Sequence, residues 1–177
     1  MDTRACESPC SEPRPKFIVD ANVGKLARWL RMLGYDTAFV RDIDDDELID
    51  IGLKEGRVLL TRDTQIMLRR VVAGGAIKAM LLYEDDPMVQ MRRVIAGMKL
   101  DRRDEFTRCL ECNERLIARS KDEVESLVPP YVYRTQEQYH QCPVCGRIYW
   151  RGTHWGTYET GAEGSVRPNE RHIERTG

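Results

Sequence analysis

Between Lys16 and about Met98 the chain repeats one pattern four times, a short apolar run followed by an amphipathic segment. The runs "KFIV", "DTAFV", "RVLL" and "IKAMLLY" read as strands. "NVGKLARWLRMLG" sets Val23, Leu26, Ala27, Leu30 and Leu33 on one helical face, with Gly34 as its stop. "DDDELIDIGLKEG" opens on acids and closes on Gly56, "TQIMLRRVVAGG" predicts a third helix ending on glycines, and "PMVQMRRVIAGM" carries Pro87 in its first turn. Such alternation predicts right-handed crossovers and an open parallel α/β sheet of about four strands, covered by helices on both faces.

Three of these strands run into carboxylates. "KFIV" meets Asp20, "RVLLTR" meets Asp63, and "AMLLY" meets Glu84, Asp85 and Asp86. The loop "RDIDDD" after the second strand adds Asp42, Asp44, Asp45 and Asp46. In an open parallel sheet all strand carboxyl ends share one edge, and ligands bind there. Carboxylates gathered at one place repel unless a cation neutralises them. Oxygen ligands without His or Cys suit Mg2+ or Mn2+, ions that activate water and stabilise the leaving oxygen in phosphodiester cleavage. The plainer role for an acid after a strand is to cap the next helix, and "EDDP" is also an ordinary turn sequence.

After Asp101 the character changes. Cys109-x-x-Cys112 and Cys142-x-x-Cys145 flank "SKDEVESLVPP", in which Ser120 and Glu123 form a capping box, and "RIYW" reads as a strand. Two such pairs place four thiolates around one ion, so we expect structural zinc, with rubredoxin-like iron the alternative. Asn113 and Gly146 follow the pairs and suit the tight turn that aims backbone N–H groups at sulfur. Residues 1–15 read as a disordered leader in which Cys6 and Cys10 have no assigned role, and residues 159–177 as a loose tail. No apolar run approaches the roughly 20 residues a bilayer span requires. The leader lacks the apolar segment of a secretory signal, so the expected location is cytoplasmic. A net charge of −1 rules out a generally basic, nucleic-acid-coating surface and leaves only local patches.

"FIVDANVGKLARWLRMLGYDT", "DDDELIDIGLKEGRVLLTRD", "CLECN" and "CPVCGRIYWRGTHW" resemble, in this order, the motifs of the Mut-seven C-terminal RNase domain family, over about Phe17 to Trp155. The resemblance implies a PIN-like nuclease domain, residues 16–100, followed by a small zinc-ribbon module, residues 101–158. It also implies a metal-dependent ribonuclease hydrolysing RNA phosphodiester bonds. The PIN-like acidic positions fall on Asp20, on the acidic start of the second helix, and on Asp63. Among Asp45, Asp46 and Glu47 the motif register favours Asp45. The later acid of such domains has no clear match unless Asp85 or Asp86 serves. Zinc then falls to Cys109, Cys112, Cys142 and Cys145, and Mg2+ or Mn2+ to Asp20, Asp45 and Asp63.

For the RNA, taken as single-stranded, Lys25, Arg28 and Arg31 on the first helix and Arg62 beside Asp63 are the phosphate candidates. A solvated helix face is the alternative use of Lys25 and the plainer use of Arg31. Trp150, His154 and Trp155 are candidates for base contacts, packing of the ribbon being the commoner use of such aromatics. The rival reading is a non-catalytic RNA- or partner-binding ribbon protein whose acids are relics. A phospho-receiver domain also puts acids at strand ends, but the Lys it needs after a later strand is missing and the ribbon goes unexplained.

Overall fold

Four strands lie side by side and parallel, β1 (Lys16–Val19), β2 (Thr37–Ala38), β3 (Arg57–Thr61) and β4 (Ala79–Leu81), in the order β2-β1-β3-β4. They belong to a computed structural model that describes residues 14–150. Cys6, Cys10, His154 and Trp155 lie outside the described residues. This is the parallel α/β sheet with flanking helices that the alternation predicts.

The central strands β1 and β3 are buried on both faces, which is why Phe17, Ile18 and Val19 run without a polar interruption, as do Val58, Leu59 and Leu60. Ile18 and Leu59 point to the face covered by α2 (Asp45–Glu55), α3 (Thr64–Leu68) and α4 (Arg70–Ala73), where they join Leu48, Ile49, Ile66, Val72 and Ile77 in one core cluster. Across the sheet α1 (Gly24–Met32) packs on β1, β2 and α5 (Pro87–Met98). The predicted stripe Val23, Leu26, Ala27, Leu30 and Leu33 is the buried face of that first helical segment, each residue no more than 3% exposed.

Gly34 ends α1 with a left-handed φ of 85°, and a Cβ there would come within 2.0 Å of the Asp104 carbonyl oxygen. Both facts demand glycine. Three helix starts are capped by acids, with Asp44, Asp63 and Asp86 side chains accepting backbone N–H groups of α2, α3 and α5.

Two expectations are corrected. "TQIMLRRVVAGG" is two helices, broken at Arg69, whose ψ of 134° is extended. On one continuous helix Ile66 and Val72 would lie about 120° apart around the axis. The break lets both reach the same core cluster. Arg31, expected on a solvated face, is only 6% exposed.

Among the described residues the chain divides into two compact units, one comprising residues 14–117 with Cys142–Gly146 and the other Ala118–Gln141 with residues 147–150. The second holds α6 (Lys121–Val124), opened by the expected Ser120–Glu123 capping box, α7 (Pro130–Thr135), and the antiparallel pair β5 (Tyr139–Gln141) and β6 (Ile148–Trp150). Its small core is Val124, Val128, Val132 and Tyr139, against which Trp150 packs. No helix among the described residues is long and apolar enough to cross a membrane.

Candidate functional site

The strand order reverses between β1 and β3, since the chain leaves β1 for β2 on one side and returns across β1 to β3 on the other. At such a reversal the connections leave in opposite directions and open a crevice at the strands' carboxyl ends, where ligands bind in open α/β sheets. Asp20 follows β1 and Asp63 lies two residues beyond β3, both at this crevice. Asp45, at the first turn of α2, is within electrostatic reach of both. Burial pushes its carboxyl above the usual range, the charges of Asp63 and then Asp20 push it further, and Arg69 opposes them. The carboxylates expected to act together are therefore electrostatic neighbours.

Thr61 and Asn22, which the sequence reading missed, hold this crevice together. Thr61 is fully buried; its hydroxyl donates to Asp20 Oδ2 at 2.6 Å and accepts the Asp63 N–H at 2.9 Å. Asn22 Oδ1 accepts the Arg62 N–H at 3.1 Å, joining the loop after β1 to the loop after β3. Asp63 Oδ1 accepts the Gln65 N–H at 2.6 Å, so the acid also caps α3. A hydroxyl one residue before an Arg-Asp pair at a strand end is the signal that could have found Thr61.

Several of the remaining acids are otherwise engaged. Asp46 pairs with Arg69 at 2.7 Å, Asp85 with Arg62 at 2.5 Å, and Glu84 with Arg93 at 2.8 Å. Asp86 caps α5, and Glu47 donates its backbone N–H to the Asp44 cap. Of the basic candidates, Lys25 is exposed on α1 and Arg28 pairs with Glu111 at 3.0 Å. Arg62 is tied to Asp85 beside the acid crevice, and His154 lies outside the described residues.

Among the described residues, the thiols of Cys109, Cys112, Cys142 and Cys145 form the group whose ligand atoms all lie within 4.8 Å of one another; the three carboxylates are not drawn to that spacing. The first pair sits in a tight turn, in which the Cys112 N–H points at Cys109 Sγ at 3.4 Å and Asn113 takes a left-handed φ of 64°. The second repeats it, with the Cys145 N–H 3.5 Å from Cys142 Sγ and Gly146 at a φ of 72°. Four soft donors closing on one point fit a tetrahedral structural zinc ion and leave no open position for chemistry. Burial pushes the Cys112 thiol up to about 12, with the neighbouring cysteines adding to the rise. Forming the thiolate there therefore calls for a cation.

Residues 15–161 match the family described as the Mut7-C RNAse domain. No curated protein and no solved structure matches the chain.

Proposed function

The chain belongs to the Mut7-C RNAse domain family, and on that premise we propose that it hydrolyses RNA phosphodiester bonds with Mg2+ or Mn2+ held by Asp20, Asp45 and Asp63. The observation that carries this reading is the Thr61 bridge between Asp20 and Asp63 at the strand-order reversal between β1 and β3, with Asp45 within electrostatic reach of both. The donors are all hard oxygens, the kind that suits Mg2+ or Mn2+, and Mg2+ binds through one or two carboxylates while keeping several of its waters. Such an ion, when bound, activates water and stabilises the leaving oxygen.

The chain's own residues prepare the site. Thr61 fixes Asp20 through its hydroxyl and holds the backbone of Asp63, so two acids are oriented from one buried point. Arg62, held beside them by Asp85, meets the phosphates of a single-stranded RNA, and exposed Lys25 adds positive charge on α1. Residues 16–100 carry the cleavage, and the zinc-ribbon module, residues 101–158, assists folding or RNA binding, with His154 a base-contact candidate. Cytoplasmic RNA is the expected substrate pool.

The test is thermal stability with and without Mg2+ or Mn2+. The wild type gains stability from the ion and Asp63→Asn does not, because an amide cannot replace the anionic ligand. Equal behaviour of the two proteins favours the rival reading, an RNA- or partner-binding protein whose acids are relics.

A further inference from the structure

A guanidinium carries five N–H donors and cannot shed its charge, so a buried one needs acceptors fixed around it. Arg31, only 6% exposed, finds them in two places far apart in the chain. Its Nε donates to the Thr37 carbonyl of β2 at 2.9 Å, while Nη1 donates to the carbonyls of Leu110 at 2.8 Å and Glu111 at 2.9 Å. Leu110 and Glu111 are the two residues between Cys109 and Cys112, so these carbonyls keep their place only while the first cysteine turn keeps its shape.

Asn113 makes a second tie from the same turn. Its Oδ1 accepts the Thr37 N–H at 2.9 Å, and its Nδ2 donates to Asp36 Oδ1 at 2.7 Å. Asp36 is itself bound to Arg57 at the start of β3 at 2.7 Å. Both backbone groups of Thr37, on the edge strand, are thus satisfied through the cysteine turn and Arg31.

We propose that the metal site is a clasp on the sheet, in which Arg31 and Asn113 are positioning residues that make zinc occupancy and the order of β2 one coupled equilibrium. The donor set fits zinc, and the ties run from the backbone that zinc shapes, so binding the ion and fixing Thr37 favour each other by the same factor. Four thiolates around one divalent ion leave net negative charge, and the Arg31 cation stands beside the turn that carries two of them. Outer-sphere partners of this kind hold ligands in their binding orientation. The inference does not depend on the proposed cleavage of RNA.

The test uses the full chain and reads zinc affinity, by competition with a chromophoric chelator, alongside amide hydrogen exchange. Arg31→Met weakens zinc by about 10- to 100-fold. Arg31→Lys does not restore it, because one ammonium cannot reproduce the planar fork that spans Thr37 and the cysteine turn. Asn113→Gly, which keeps the left-handed backbone and removes both side-chain ties, also weakens zinc and opens the Thr37 amide to exchange. Chelating the zinc under reducing conditions opens the Thr37 amide as well. The Leu59 amide, bonded to the Lys78 carbonyl at 2.9 Å, stays protected as the internal control. If Arg31→Met does not fold, Asn113→Gly carries the test alone. A folded variant with wild-type zinc affinity, or a Thr37 amide indifferent to zinc removal, would overturn the proposal.

Discussion

The Thr61 hydroxyl donates to Asp20 Oδ2 at 2.6 Å and accepts the Asp63 backbone N–H at 2.9 Å, so one buried oxygen bridges the acidic ends of β1 and β3. Thr61→Val keeps the shape and removes that oxygen. The Asp63 N–H then loses its partner, at a cost of about 1–3 kcal/mol, and Asp20 is free to turn. We expect cleavage to fall by about 100-fold, the scale on which small misplacements act, while Thr61→Ser keeps most of it. Single-turnover rates together with thermal melts of the two variants check this.

Asp36 supplies a pH signature. Burial alone would raise its carboxyl, but hydrogen bonds from Arg57 and Asn113 hold it below the usual carboxylate range. A folded-state value below the unfolded one means stability that is fully present above the unfolded value, about 3.9. It is lost as pH falls through the folded value. Asp36→Asn is therefore less stable than wild type at pH 7, and the gap closes on acidification below about pH 4. Urea unfolding across pH 3 to 7 measures it.

Cys142→Ser removes a buried ligand from a closed four-thiol site. The variant releases about one zinc per chain and becomes protease-sensitive after about Asp101, while β1 and β3 keep their buried core. Metal analysis and mass spectrometry of the fragments report both. Global unfolding would show that the zinc site and the sheet share one indivisible core.

Arg62 pairs with an Asp85 that is 87% exposed, an ion pair that solvent already weakens and a phosphate readily replaces. On an Asp20→Asn background that prevents cleavage, Arg62→Ala lowers affinity for single-stranded RNA and reduces the salt dependence by about one phosphate contact. Melting temperature stays close to the background's. Fluorescence anisotropy at several salt concentrations is the measurement.

Periodicity made the sheet legible, because a strand buried on both faces and a helix buried on one leave different signatures in the order of apolar residues. The α1 stripe was readable for that reason, and so were the acids at the ends of β1 and β3. The cysteine spacing was legible because a tetrahedral thiolate site needs two short turns. What escaped the sequence reading depends on partners distant along the chain. Arg31 sits four residues after Ala27, at the margin of the buried stripe, but two of its three acceptors lie 79 and 80 residues away. The break at Arg69 follows from where Ile66 and Val72 meet the core, which local propensity does not encode. The acidic start of α2 was ambiguous because adjacent acids do three different jobs there. Asp44 caps the helix, Asp45 feels the charges of Asp63 and Asp20, and Asp46 pairs with Arg69.

The most direct test of the account is the rate at which wild type, Asp20→Asn and Asp63→Asn cut a labelled single-stranded RNA, with Mn2+ and with a chelator. Asn caps a helix about as well as Asp, and removing one negative charge relieves repulsion at the crevice, so both variants fold as well as wild type or better. The account predicts metal-dependent cleavage by wild type and none by either variant. Near-wild-type, metal-dependent rates in a folded Asp20→Asn or Asp63→Asn would contradict it.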